Sequence, residues 1–157
     1  MLPTAAYSPA YKLGDIPGKL PQAVLPEDVD VAEVGQITIK KLNELELDSL
    51  TESVIFRDFL TFTDSLRTLT PRDKVYPALK ELLSRKNCSP FALSGTEPSK
   101  IPFVWIDFNI LFTIQHSTLT GSAAGIVSVV QESHGERRIW MLRTWLEAFN
   151  GQATLMI

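Results

Sequence analysis

The strongest constraint on this chain is a run near its C-terminal end. Across residues 104–116 the side chains alternate. Val104, Ile106, Phe108, Ile110, Phe112, Ile114 and His116 fall on one side, and Trp105, Asp107, Asn109, Leu111, Thr113 and Gln115 on the other. A strand sends successive side chains to opposite faces, so a period of two sustained this long specifies a strand with one buried face. A slip of one residue would expose the whole apolar set, so the pattern also specifies register. Turn residues over 117–121 lead into a second apolar stretch, 122–131. Ser133, His134 and Gly135 lead into a third, 138–149, which stops at Asn150-Gly151. Long strands joined by short turns form an antiparallel meander, whose apolar face needs a covering layer.

The cover comes earlier in the chain. Asp30 with Glu33 three residues later has the form of a capping box. Val31, Val34, Ile37, Leu42 and Leu45 then recur near the helical period, despite the weak helix formers Gly35, Thr38 and Ile39. A second, short helix is expected over 48–54. Residues 56–69 are ambiguous, with the aromatic and threonine content of a strand but apolar residues at mixed spacing. A third helix is expected over 71–85, with Thr70 as cap, Pro71 at its first position and a kink at Pro77. A loop follows over 86–102, marked by Asn87, Pro90, Gly95 and Pro98. Residues 1–27 carry Pro3, Pro9, Pro17, Pro21 and Pro26, which forbid helix and central strand. The same segment holds Tyr7, Tyr11, Leu13, Ile16 and Leu20. It reads as an extended arm against the domain or a partner subunit, with a floppy tail as the alternative. The expected organisation is an arm over 1–27, one α+β domain over 28–151 with helices packed on the concave face of a curved antiparallel sheet, and a tail over 152–157.

Composition excludes several functions. Fifteen basic against 18 acidic residues give a net charge of −3, and Lys40-Lys41 and Arg137-Arg138 are isolated doublets. Nucleic-acid binding therefore has no electrostatic footprint. No apolar run approaches the roughly 18 residues of a membrane span, and no secretory signal opens the chain. The lone Cys88 admits no internal disulfide and suits a reducing, cytoplasmic setting. His116 and His134 lie far apart, without a paired cysteine motif, so no metal is expected. Gly121-Ser122-Ala123-Ala124-Gly125 has the wrong spacing for a nucleophile elbow, and no phosphate loop is present, so no cofactor is expected.

The order of elements resembles the NTF2-like cone of the SnoaL-like and scytalone-dehydratase-like superfamily. The resemblance rests on Leu25-Pro26-Glu27-Asp28-Val29-Asp30, Phe56-Arg57-Asp58, Asp64-Ser65-Leu66-Arg67-Thr68, Trp105-Ile106, and Gly121-Ser122 with Gly125. It extends to Ile139-Trp140-Met141-Leu142-Arg143-Thr144-Trp145-Leu146-Glu147 followed by Gly151. Together these are similar to the NTF2-like module ahead of the nucleotide-binding part of fungal flavin-dependent monooxygenases, and to free-standing fungal proteins of secondary metabolism. Two departures stand out. Phe56 replaces an expected tryptophan, and no G-x-G-x-x-G fingerprint occurs, so the chain is not expected to be an oxygenase itself. The resemblance implies an apolar cavity at one end of the sheet, into which polar groups project.

Within that cone, His116 is the polar member of an otherwise apolar strand face, placed to move a proton if that face looks inward. The alternative is a strand-end histidine in water. Arg57 with Asp58, and Asp64 with Arg67, offer either acid–base groups or structural ion pairs. Asp107 and Asn109 beside Trp105, and Arg143 beside Trp145, line a cavity, face solvent or form a homodimer interface. Arg143 is the preferred partner for an anion or carbonyl. Phe108, Phe112, Trp140 and Trp145 supply apolar walls or plain core. Two functions follow. One is a cofactor-independent enzyme promoting cyclisation, isomerisation or dehydration of a polyketide, terpenoid or alkaloid intermediate, using Arg57, Asp58, Asp64, Asp107, His116 and Arg143. The other is a non-catalytic dimerisation or ligand-binding module.

Overall fold

The computed structural model describes residues 25–63, 65–101 and 104–149. Most of the expected arm, the expected tail and Asp64 lie outside the described residues. Helix α1, Val31–Asn43, begins as its capping pattern requires: the Glu33 N–H donates to Asp30 Oδ1 at 3.1 Å. Val34, Gly35, Thr38 and Leu42 form its buried stripe. A Cβ on Gly35 would stand 2.9 Å from Phe108 Cε1, so the missing side chain lets α1 lie close on the sheet.

The expected short helix over 48–54 is replaced by a 3-10 turn, Leu47–Ser49, and strand β1, Leu50–Phe59. β2, Leu66–Leu69, pairs antiparallel with β1 and settles the ambiguous stretch as hairpin. Helix α2, Arg72–Arg85, buries Val75 and Leu79, runs through Pro77 and has Pro71 at its N-cap rather than its first position. The Thr70–Pro71 bond is cis. The expected loop after it contains β3, Ala92–Leu93, and β4, Ser99–Ile101, both paired with β5. β5, Trp105–His116, β6, Leu119–Gln131, and β7, Arg137–Phe149, are the predicted meander.

The strand order is β2-β1-β7-β6-β5-β3, with β4 also on β5. The meander is antiparallel, but β1 lies parallel to β7, so the sheet is mixed. A parallel neighbour needs a long crossover, and the chain between β1 and β7 supplies one. That pairing also explains the lost helix. Residues 56–59 gain a strand on each side, β2 and β7, and Leu50 and Ile55 pair with β7, so the whole segment is drawn into the sheet over a marginal local preference. Register shifts at Ser122/Ala123 and Ser128/Val129, and between Leu50 and Ile55, bend the sheet.

The concave face carries the predicted apolar set: Ile106, Phe108, Ile110, Phe112 and Ile114 are all buried, while the opposite side of β5 is half-buried or exposed. The helices cover this face. Aromatic rings fill much of the space between, with Phe62 stacked on Phe112 at 5.6 Å and Phe91 edge-on to it at 4.7 Å. The molecule is an α+β fold in which helices close a curved sheet.

Candidate functional site

A cavity of about 740 Å³ remains at the end of the sheet where α2 ends and β5 and β7 finish. That volume suits a small organic molecule. Its walls are apolar, with Leu60 and Phe62 from the β1–β2 connection, Leu82 from α2, Ile114 from β5, and Leu146 and Phe149 from β7. Its polar groups are Thr63, Arg67, Glu81, Arg85, Lys86 and His116.

Specific hydrogen bonds hold these walls in place. The buried Thr70 hydroxyl donates to the Val54 carbonyl at 2.8 Å, and Arg72 Nη1 donates to the Leu50 carbonyl at 3.2 Å, tying the start of α2 to β1. Lys80 Nζ donates to the Leu45 carbonyl at 3.2 Å. Past the helix, Asn87 adopts a left-handed φ of 46°, which turns the chain. The returning segment is then stapled to β5. The Gln115 N–H donates to the Lys86 carbonyl at 2.8 Å, the Ser89 N–H to the Thr113 carbonyl at 2.9 Å, and the Thr113 N–H to Ser89 Oγ at 2.8 Å. Those bonds bring Lys86 beside the end of β5.

There, Lys86 Nζ lies 3.2 Å from His116 Nδ1. An ammonium can only donate, so Nδ1 accepts, and the proton of the neutral ring resides on Nε2. The ring packs against Phe149 with centroids 5.9 Å apart. Glu81 and Arg85, one helical turn apart, pair with each other.

The residues singled out in the sequence divide between the two faces. His116 borders the cavity on the apolar side of β5, but at the strand end it is exposed to solvent. Phe108 and Phe112 are buried core, and Phe112 backs the cavity through its stack on Phe62. Asp58 also points inward, but its carboxylate is fully engaged. It accepts from the Phe62 N–H at 3.0 Å, the Thr63 N–H at 2.9 Å, the Thr63 hydroxyl at 2.8 Å and the Thr144 hydroxyl at 2.6 Å. It shapes the β1–β2 connection that walls the cavity.

Arg57, Asp107 and Arg143 do not join this site; they lie on the convex side. Arg57 and Arg143 are register partners across β1 and β7. Arg143 Nη2 stands 3.8 Å from Asp107 Oδ1, and Asp107 also accepts from the buried Ser128 hydroxyl. Trp105 and Asn109 share this face, with Trp105 against Trp140 at 5.2 Å, and Trp145 Nε1 donates to Glu147 at 2.8 Å. The expected acid–base constellation is therefore split by the sheet itself, because residues of opposite parity on a strand cannot share a face.

Arg67, read in the sequence with Asp64, does line the cavity, whereas Lys86, Glu81 and Arg85 were not foreseen as site residues. Their signal was present but faint. Ala78, Leu82 and Lys86 recur at a spacing of four along α2, which reads equally well as plain core stripe.

Cys88 sits next to this segment, its thiol donating to the Ser89 carbonyl at 3.2 Å. Burial pushes the thiol up to about 12, so it stays protonated at neutral pH. A disulfide-exchange reagent at pH 8 is expected to label Cys88 slowly in the folded protein and promptly in denaturant. Equal rates in both states would contradict the burial. Because the neutral thiol is the form that folding favours, its contribution to stability holds below about 9 and fades as pH rises towards about 12.

At the opposite end, His134 is exposed in the β6–β7 turn, and Arg138 pairs with Glu132 at 2.9 Å and Glu136 at 3.3 Å. The Glu132 hydrogen bond raises the Arg138 pKa further above its ordinary value. Among the described residues, no group of three His, Cys, Asp or Glu is arranged to hold a metal ion. No helix among them is long and apolar enough to cross a membrane.

No protein-family model matches the chain, and no curated protein matches it. Among solved structures, the chain is similar to one described as a computationally designed 17-OHP binder, with 16% sequence identity and a TM-score of 0.45. The match covers 77% of this chain and 93% of that one.

Proposed function

We propose that the chain binds a small, largely apolar molecule in the cavity between α2, the β1–β2 connection and the ends of β5 and β7. The single observation that carries this reading is the cavity itself: about 740 Å³, with largely apolar walls and the Lys86–His116 contact at its rim. On this reading the chemistry is cofactor-independent cyclisation, isomerisation or dehydration, the class implied by the resemblance to fungal proteins of secondary metabolism. His116 is the proton-handling group. With Lys86 held at Nδ1, the ring presents its Nε2–H, and that donor together with the neighbouring ammonium stabilises negative charge developing on a substrate oxygen. The apolar walls position the reacting atoms. The roles first assigned to Arg57, Asp58, Asp107 and Arg143 are not retained in this mechanism.

The second reading, a non-catalytic ligand-binding or dimerisation module, is favoured by the aromatic packing of Phe62, Phe91 and Phe112, which closes the interior beyond the cavity. On that reading the convex face, with Leu111 49% exposed, is the candidate surface for a second copy.

The experiment that tests the pocket is Ala78→Trp, which places an indole into the cavity from α2. Ligands found by screening biosynthetic intermediates against the wild-type chain should lose at least tenfold in affinity, roughly the cost of displacing a few apolar contacts. Melting of the free protein should change little. Unaltered affinity in a folded variant would move the binding site elsewhere. His116→Asn separates the two readings, since turnover falls while binding persists only if the site is catalytic.

A further inference from the structure

The charges around the cavity mouth are not balanced. Glu81 is paired with Arg85 on α2, and Arg67 on the β2 side is already engaged. Lys86 is different. Its Nζ meets the His116 ring at 3.2 Å, and among the described residues it forms no ion pair with a carboxylate. The side chain is half-buried, so part of its hydration is already removed. An ammonium has three donors, and one is directed at Nδ1. The other side of the ring offers Nε2–H, again a donor. Two donors therefore stand side by side at the solvent-exposed rim of the apolar walls.

We infer that the molecule held in this cavity is an amphipathic carboxylate. The inference rests on the proposed pocket and names the class of ligand. The carboxylate lies between Lys86 Nζ and His116 Nε2–H, and the apolar body runs inward along Leu82, Ile114 and Phe149. A carboxylate oxygen accepts from both donors at once, which a carbonyl or hydroxyl does less strongly, because hydrogen bonds between charged partners are shorter and stronger. Lys86 is half-buried and His116 exposed, so water competes for the charged end, and the apolar body against the walls supplies the rest of the binding. Leu146 and Phe62 complete a wall with no charge that would oppose an aliphatic or aromatic tail.

The test uses two probes of matched shape, decanoate and decan-1-ol, titrated into the full chain at pH 7.5 and low salt by heteronuclear NMR. Decanoate is expected to bind about tenfold more tightly than the alcohol, with the largest shifts at Lys86, His116 and Ile114. Raising the salt concentration lowers decanoate affinity and leaves the alcohol unchanged. Lys86→Gln removes the acid's advantage while alcohol binding persists, and Lys86→Arg restores most of it. If acid and alcohol bind equally to the wild type, or if Lys86→Gln preserves their ratio, the carboxylate inference is overturned and the pocket stands. If neither probe shifts the cavity resonances, the pocket reading falls together with the inference.

Discussion

Replacing Asp58 with alanine is expected to lower the unfolding free energy by about 3–5 kcal/mol, measured as a shift of the urea midpoint at unchanged slope. The carboxylate is 1% exposed and accepts four hydrogen bonds, from two backbone N–H groups and two hydroxyls. Alanine strands the two N–H groups and the Thr144 hydroxyl, while the Thr63 hydroxyl can donate to the Ser65 carbonyl at 2.8 Å instead. The Thr144 hydroxyl is buried on β7 and has no water to turn to. A stranded buried donor costs about 1–3 kcal/mol, and donors beside a new cavity recover part of this through trapped water. Asp58→Asn should be much milder, about 1–2 kcal/mol. Its Oδ1 still accepts from the Phe62 and Thr63 N–H groups, and its Nδ2 donates to the Thr144 hydroxyl, which then acts as acceptor. Equal losses in the two variants would mean that the charge, rather than the acceptor geometry, holds the loop. Because Leu60, Phe62 and Thr63 line the cavity, Asp58→Ala should also weaken ligand binding in whatever fraction remains folded.

Gly125→Ala is expected to cost about 3 kcal/mol or more, the upper end for forcing extra volume into a packed interior. A Cβ at this position would stand 2.4 Å from the Arg143 carbonyl oxygen, and 3.3 Å from both Ile110 Cγ1 and Thr144 Cγ2. The obstacle is the backbone of β7, which has no rotamer to change. β6 is held between β5 and β7, so relief requires parting the central strands of the sheet. Moving Arg143 and Thr144 also disturbs the hydroxyl that donates to Asp58, so the two sites should couple in a double-mutant cycle. Gly95→Ala is the matching control. No atom lies within 4 Å of a Cβ there, and the expected change is within about 0.5 kcal/mol. A mild effect at Gly125 would show that the sheet yields at this point more readily than its register suggests.

Both predictions concern residues whose importance local patterns hide. Asp58 beside Arg57 reads as one half of an acid–base or ion pair. In the fold the two side chains leave β1 in opposite directions, and the hydroxyl that completes the Asp58 network comes from β7, 86 residues away. Gly125 belongs to a glycine-serine-alanine stretch whose meaning depends on the strand opposite. The same holds for β1. Nothing near residues 50–59 announces a parallel partner at residues 139–145, so a short helix was the natural local reading of their first half.

His116 shows the reverse case. Parity places it on the side of β5 that carries Ile106, Phe108, Ile110, Phe112 and Ile114; those five are buried, while His116 at the strand end is exposed and reaches only the cavity rim. What parity cannot supply is a neighbour. Lys86 reaches His116 because Asn87 turns the chain and two backbone bonds staple the segment after α2 to β5.

The amino-acid order alone determined the meander, the inward face of β5, the capped start of α1 and the α+β class. Each of these follows from periodicity and local capping, which neighbouring residues specify directly. Tertiary structure alone decided the parallel seat of β1, the split of the candidate polar residues between convex and concave faces, and the meeting of Lys86 with His116 at the cavity. Those depend on contacts between residues far apart in the chain, where loop closure and packing decide which marginal local preferences survive.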